Sequence, residues 1–129
     1  MPQITELTRI EPVYLDRLER QGIFTTGLLL EVSETSTRRQ YLADQLDAST
    51  NDVLTWRDEA LLLNLAGFGP VEHQLLAFAG IEGVADLLRL ELPTFQEKVE
   101  RAAFSLKVEP PATLAIHGWW EQARTLDEE

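Results

Sequence analysis

The stretch Leu65-Ala66-Gly67-Phe68-Gly69-Pro70-Val71 decides how this chain is read. Two glycines bracket a single apolar residue, and a proline follows at once. Two helices joined by so tight a turn need backbone angles that glycine reaches cheaply. The apolar residue between the glycines, Phe68, plugs the space between the helices. Proline is welcome in the first turn of the next helix and pushes the residue before it away from helical angles. The first N–H groups of that helix have no partner within it, so the turn from Gly67 to Val71 is a candidate seat for an anion or a nucleic-acid backbone.

The same spacing recurs 58 residues upstream, where Leu7-Thr8-Arg9-Ile10-Glu11-Pro12-Val13 lies under it. The alignment continues without gaps: Leu18 falls on Leu76, Gly22 on Gly80, Ile23 on Ile81, and Leu29-Leu30 on Leu87-Leu88. Self-similarity of this kind indicates one supersecondary unit present twice. Unit one covers about residues 4–64 and unit two about 65–126, and the two are expected to share one compact domain over 1–129. In the first unit the turn Arg9-Ile10-Glu11-Pro12 is degenerate, because Arg9 and Glu11 stand where the glycines would be.

Helices account for the rest of each unit. Val13 to Arg20 and Val71 to Ala79 carry apolar residues on a helical period. Gly22 and Gly80 then act as helix-ending glycines, with Ile23 and Ile81 packing back. Thr25 or Thr26 caps a short helix through Leu28, Leu29, Leu30 and Val32, and its counterpart runs from Val84 to Leu90. Thr35-Ser36-Thr37 opens a helix through Tyr41, Leu42 and Leu46. Ser49-Thr50-Asn51-Asp52 reads as a capping box ahead of Val53, Trp56, Ala60, Leu61 and Leu63. After Pro93, Phe95, Val99, Ala102 and Leu106 mark a helix over 94–107. Pro110-Pro111 breaks the chain before a last helix through Ile116, Trp119, Trp120 and Ala123. No stretch alternates with period two, so the fold class is all-α.

Composition narrows the function. The 129 residues are 44% hydrophobic and 26% charged, the balance of a globular protein. No apolar run approaches the roughly 20 residues of a membrane span, and Met1 to Glu6 lacks the features of a secretion signal; a cytoplasmic protein without membrane insertion is expected. The absence of cysteine removes disulfides, thiolate metal sites and a cysteine nucleophile. The net charge is −11, spread evenly, with 6 basic and 11 acidic residues in 1–66 and 5 and 11 in 67–129. Phosphate neutralisation supplies most of the affinity of nucleic-acid binders, and this chain has no basic segment to supply it.

The Gly67-Phe68-Gly69-Pro70 hairpin and its degenerate copy resemble the helix-hairpin-helix superfamily. More narrowly, Trp56-Arg57-Asp58-Glu59-Ala60-Leu61 leading into the hairpin, the Pro93 helix, the Pro110-Pro111 break and Trp119-Trp120-Glu121-Gln122-Ala123 resemble a bacterial family of tandem helix-hairpin-helix proteins catalogued as a domain of unknown function. The resemblance covers nearly the whole chain and implies two diverged helix-hairpin-helix repeats packed into one helical domain. It also implies main-chain amides placed against a DNA phosphate, but Glu11 and Glu72 stand beside the two helix starts and no Lys or Arg lies between Arg57 and Arg89.

No catalytic constellation stands out. His73 and His117 are 44 residues apart and read as surface positions, so no metal site and no cofactor is expected. The acidic neighbours Asp58-Glu59 and Glu97 with Glu100 read as solvated faces. Trp56 lies on a core stripe. Trp119 and Trp120 point about 100° apart on one helix, so one belongs to the core and the other is a candidate anchor for a partner. The expectation is a non-enzymatic interaction module that binds a protein with a basic surface or a second copy of itself. The alternative is weak, sequence-independent DNA binding through Gly67-Phe68-Gly69.

Overall fold

The structure, a computed structural model, describes residues 2–127. It is all-α, and among the described residues no strand forms beyond an isolated bridge between Gln3 and Thr25. The chain divides into two compact units, Met1–Asn64 and Leu65–Glu129. The first holds a 3-10 turn over Ile4–Glu6, then α1 (Pro12–Arg20), α2 (Thr26–Val32), α3 (Ser36–Leu46) and α4 (Thr50–Leu63). The second holds α5 (Pro70–Phe78), α6 (Val84–Leu88), α7 (Leu92–Leu106) and α8 (Thr113–Asp127).

The boundaries follow local chemistry. Pro12 and Pro70 sit in the first turns of α1 and α5. Thr25, Thr35 and Ser49 cap α2, α3 and α4 through their hydroxyls, and Asp52 closes the capping box by accepting from the Ser49 N–H. Gly22 and Gly80 take φ of 82° and 86°. Ile23 N–H then reaches back to Leu18 O at 3.0 Å and Ile81 N–H to Leu76 O at 2.8 Å, the hydrogen bonds of a Schellman ending.

α3 and α7 stop differently. Asp47 and Lys107, neither of them glycine, adopt left-handed backbone at φ 54° and 57°, and the next N–H groups close on Ala43 O and Ala103 O. A side chain at such a position costs about 1–2 kcal/mol. Lys107→Gly, offset in part by a freer unfolded chain, is therefore expected to stabilise unit two by about 0.5–1 kcal/mol in urea unfolding; a loss of stability would contradict this account of the stop.

In unit one, α4 packs against α2 and α3. Its buried stripe of Val53, Trp56, Ala60 and Leu63 meets Leu29, Leu42 and Leu46. In unit two, α5 lies on α7, and both α6 and α7 lie on α8. Leu76, Leu87, Phe95, Ile116 and Trp119 fill that core. Of the apolar residues that mark α3 in the sequence, Leu42 and Leu46 are buried but Tyr41 is 66% exposed.

Candidate functional site

The first turn is built around a buried carboxylate. Glu59 of α4 is 0% exposed. Its oxygens accept from Thr8 N–H at 2.9 and 3.0 Å, from the Thr8 hydroxyl at 2.6 Å and from Arg9 N–H at 3.0 Å. The Arg9 guanidinium, in turn, reaches Asp58 at 3.1 Å. Burying a carboxylate is costly unless its oxygens are hydrogen-bonded, and bonds to consecutive N–H groups are the strong, charge-assisted kind. The amides that Glu59 holds are those of Thr8 and Arg9, which lead into the turn ahead of α1, and there the chain's own side chain supplies the anion. Reading Asp58-Glu59 as a solvated face is corrected here. Glu59 lies three residues after Trp56 and one before Ala60, so the turn of α4 that buries those two buries it as well.

The second turn is neutral throughout. Gly67 has φ 71°, which favours glycine; Gly69 is extended at φ −123°, and a Cβ there would meet only the Glu72 carboxylate, at 3.6 Å or more. Glycine is therefore demanded at one of the two positions, not both. The Ala66 N–H donates to Gln122 Oε1 at 3.0 Å, and Trp119 Nε1–H donates to Ala66 O at 3.0 Å. Phe68 packs edge-on against Trp119, with ring centroids 5.4 Å apart. Pro70 and Val71 are exposed. The expectation that His73 is a surface residue is also corrected: it is 9% exposed, with its ring 6.5 Å from that of Phe68, because the third residue after Gly69–Pro70 turns inward. His117 is half-buried beside Gln96, Nε2 to Oε1 3.0 Å.

The two candidate anchors part company. Trp119 is 2% exposed. Trp120 is half-buried, donates to Leu90 O at 3.0 Å and lies under the Arg124 guanidinium, 3.7 Å from the ring centroid. Arg124 also donates to Leu90 O.

Arginines are spent in this way in both units. Arg17 donates to Leu46 O at the end of α3, and Arg57 to Leu30 O and Ser33 Oγ at the end of α2, where carbonyls lack helical partners. Arg39 binds Ser33 O and Arg38 binds Glu31 O. Arg20, Arg89 and Arg101 pair with Asp16, Asp86 and Glu97. Every arginine has a partner inside its own unit. Among the described residues no group of three or more His, Asp or Glu could hold a metal ion, and no helix is long and apolar enough to cross a membrane.

One surface feature had no signal in the sequence. Two adjoining shallow hollows share Tyr41, one between the end of α2 and α3 and the other along the outer face of α3 alone. One, of about 370 Å³, is lined by Glu31, Val32, Thr37, Arg38 and Tyr41. The other, of about 460 Å³, is lined by Ser36, Thr37, Gln40, Tyr41 and Asp44. Helical periodicity marked Tyr41 only as an apolar member of α3; its exposure depends on which face α4 covers.

The family described as "Domain of unknown function (DUF4332)" matches residues 8–126. No curated protein and no solved structure matches.

Proposed function

The chain belongs to the DUF4332 family, and we propose that it is a non-enzymatic helical module that binds a protein partner with a basic surface, in the cytoplasm. The observation that carries this reading is the internal use of its arginines on a body of net charge −11. A surface with its arginines committed and its carboxylates in excess attracts positive charge and repels phosphate. Immobilised chain should retain a specific protein from native extract at low salt, with release by soluble chain; a monomer that retains nothing beyond a charge-matched control protein would end this reading.

We also read the two units as diverged copies of one helix-hairpin-helix unit. In support, α1 and α5 correspond at a spacing of 58 residues, the left-handed stops Asp47 and Lys107 at 60, and α4 and α8 at 63. At that last spacing Val53 falls on Ile116, Trp56 on Trp119, Glu59 on Gln122 and Ala60 on Ala123. The paired residues keep their jobs: Glu59 holds Thr8 N–H and Gln122 holds Ala66 N–H, while Arg57 and Trp120 each donate to a carbonyl at the end of the second helix of their unit.

DNA binding through Gly67-Phe68-Gly69 gains no support from this arrangement, since the loop is neutral and Glu72 sits beside Gly69. No retention of duplex DNA is expected in a gel-shift assay even at ~20 mM salt, where counterion release favours binding most. A shift that Gly69→Glu abolishes would restore the DNA reading.

A further inference from the structure

The hollows beside Tyr41 give the partner's position and chemistry, on the premise that the partner is a protein. Tyr41 forms the ridge they share. Its ring is two-thirds exposed and is flanked by Glu31 on α2 and by Asp44, one turn further along α3. Asp44 accepts from Gln40 Nε2 at 2.9 Å, and among the described residues neither carboxylate is ion-paired, although the Arg38 guanidinium lies beside Glu31, 3.0 Å from its carbonyl oxygen. The cation in the wall, Arg38, is already committed to Glu34 and to Glu31 O. An aromatic ring bordered by two carboxylates that outnumber the one arginine in the wall attracts a cation by its quadrupole and by their net charge. The hollow on the Val32 side is mostly apolar and has room for an aliphatic side chain.

From this we infer that the Tyr41 ridge receives an arginine or lysine side chain of a partner protein, with an apolar neighbour of that residue seated against Val32. An arginine suits the site better, because its planar guanidinium stacks on an aromatic ring while its edge still reaches carboxylates. Tyr41 is then the anchor and Glu31 and Asp44 set the preference for positive charge. Exposed tyrosines are enriched in such roles because two χ angles order a large contact at low entropic cost.

The test is a titration of the full ¹⁵N-labelled chain with the peptide acetyl-Leu-Arg-Leu-Arg-Leu-amide, with the Glu-for-Arg peptide as control. Amide shifts confined to 31–44 and given by the Arg peptide alone are expected. Tyr41→Ala should abolish them, and Asp44→Lys should weaken them about tenfold. Both variants should melt where the parent does, since neither residue is buried. Shifts that lie elsewhere would overturn this site while leaving a basic protein partner in place. Equal response to both peptides would remove the charge preference. Shifts at 31–44 that appear on concentrating the chain alone, with no response to peptide, would make the occupant a second copy and overturn the inference. No response to either peptide would overturn it as well.

Discussion

Glu59→Ala is expected to destabilise unit one by about 2–4 kcal/mol, the range for taking a charged acceptor from several hydrogen-bond donors at once. The reason is not the loss of packing. Three donors, the Thr8 and Arg9 N–H groups and the Thr8 hydroxyl, converge on the carboxylate. Truncation leaves them without this acceptor in a part-buried turn, and each donor left unsatisfied costs up to about 1–3 kcal/mol. Glu59→Gln should fall between, because one amide oxygen can still accept while the NH₂ faces a donor. Millimolar formate or acetate should restore part of the stability of Glu59→Ala and none to the parent, since a small carboxylate fits the space vacated. Urea unfolding followed by circular dichroism reads all three. A loss below about 1 kcal/mol would mean that the turn relaxes to water and that the carboxylate is incidental.

Trp119 and Trp120 should behave as opposites despite being neighbours. Trp119→Ala removes a fully packed ring and is expected to cost about 3–5 kcal/mol. Trp119→Phe keeps most of the ring but strips Ala66 O of its 3.0 Å donor, at about 1–2 kcal/mol. Trp120→Ala should cost only about 1 kcal/mol, because it gives up a half-exposed stack with Arg124 and a hydrogen bond to Leu90 O that Arg124 also makes. Thermal unfolding of the three variants orders them. If Trp120→Ala proves as damaging as Trp119→Ala, the packing of α8 described above is wrong.

These two sites differ in how visible they were beforehand. A helical wheel requires that two consecutive tryptophans point about 100° apart, so a core residue and a rim residue were expected, though not which was which. Trp119 takes the core because it shares a face with Ile116 and Ala123, the stripe that α6 and α7 cover. Glu59 was hidden by a sound rule: carboxylates are rarely fully buried. The hint lay in its register, since it shares the turn of α4 that carries Trp56 and Ala60. Tyr41 misleads in the other direction, an aromatic amid helical spacing that ends up in solvent.

What the sequence alone determined are the features whose cause lies within one helical turn. Proline at a helix start, a hydroxyl at its cap and a glycine with positive φ at its end each act on the next three or four residues, so eight helices could be read from the chain, while the left-handed stops at Asp47 and Lys107 could not. Only the tertiary structure decided which polar groups meet. Thr8 and Glu59 are separated by 51 residues and Trp119 and Ala66 by 53, and no local preference specifies such pairs. They are chosen when the apolar stripes pack, because a polar group carried inside by its helix must find a partner there or leave the fold paying its desolvation.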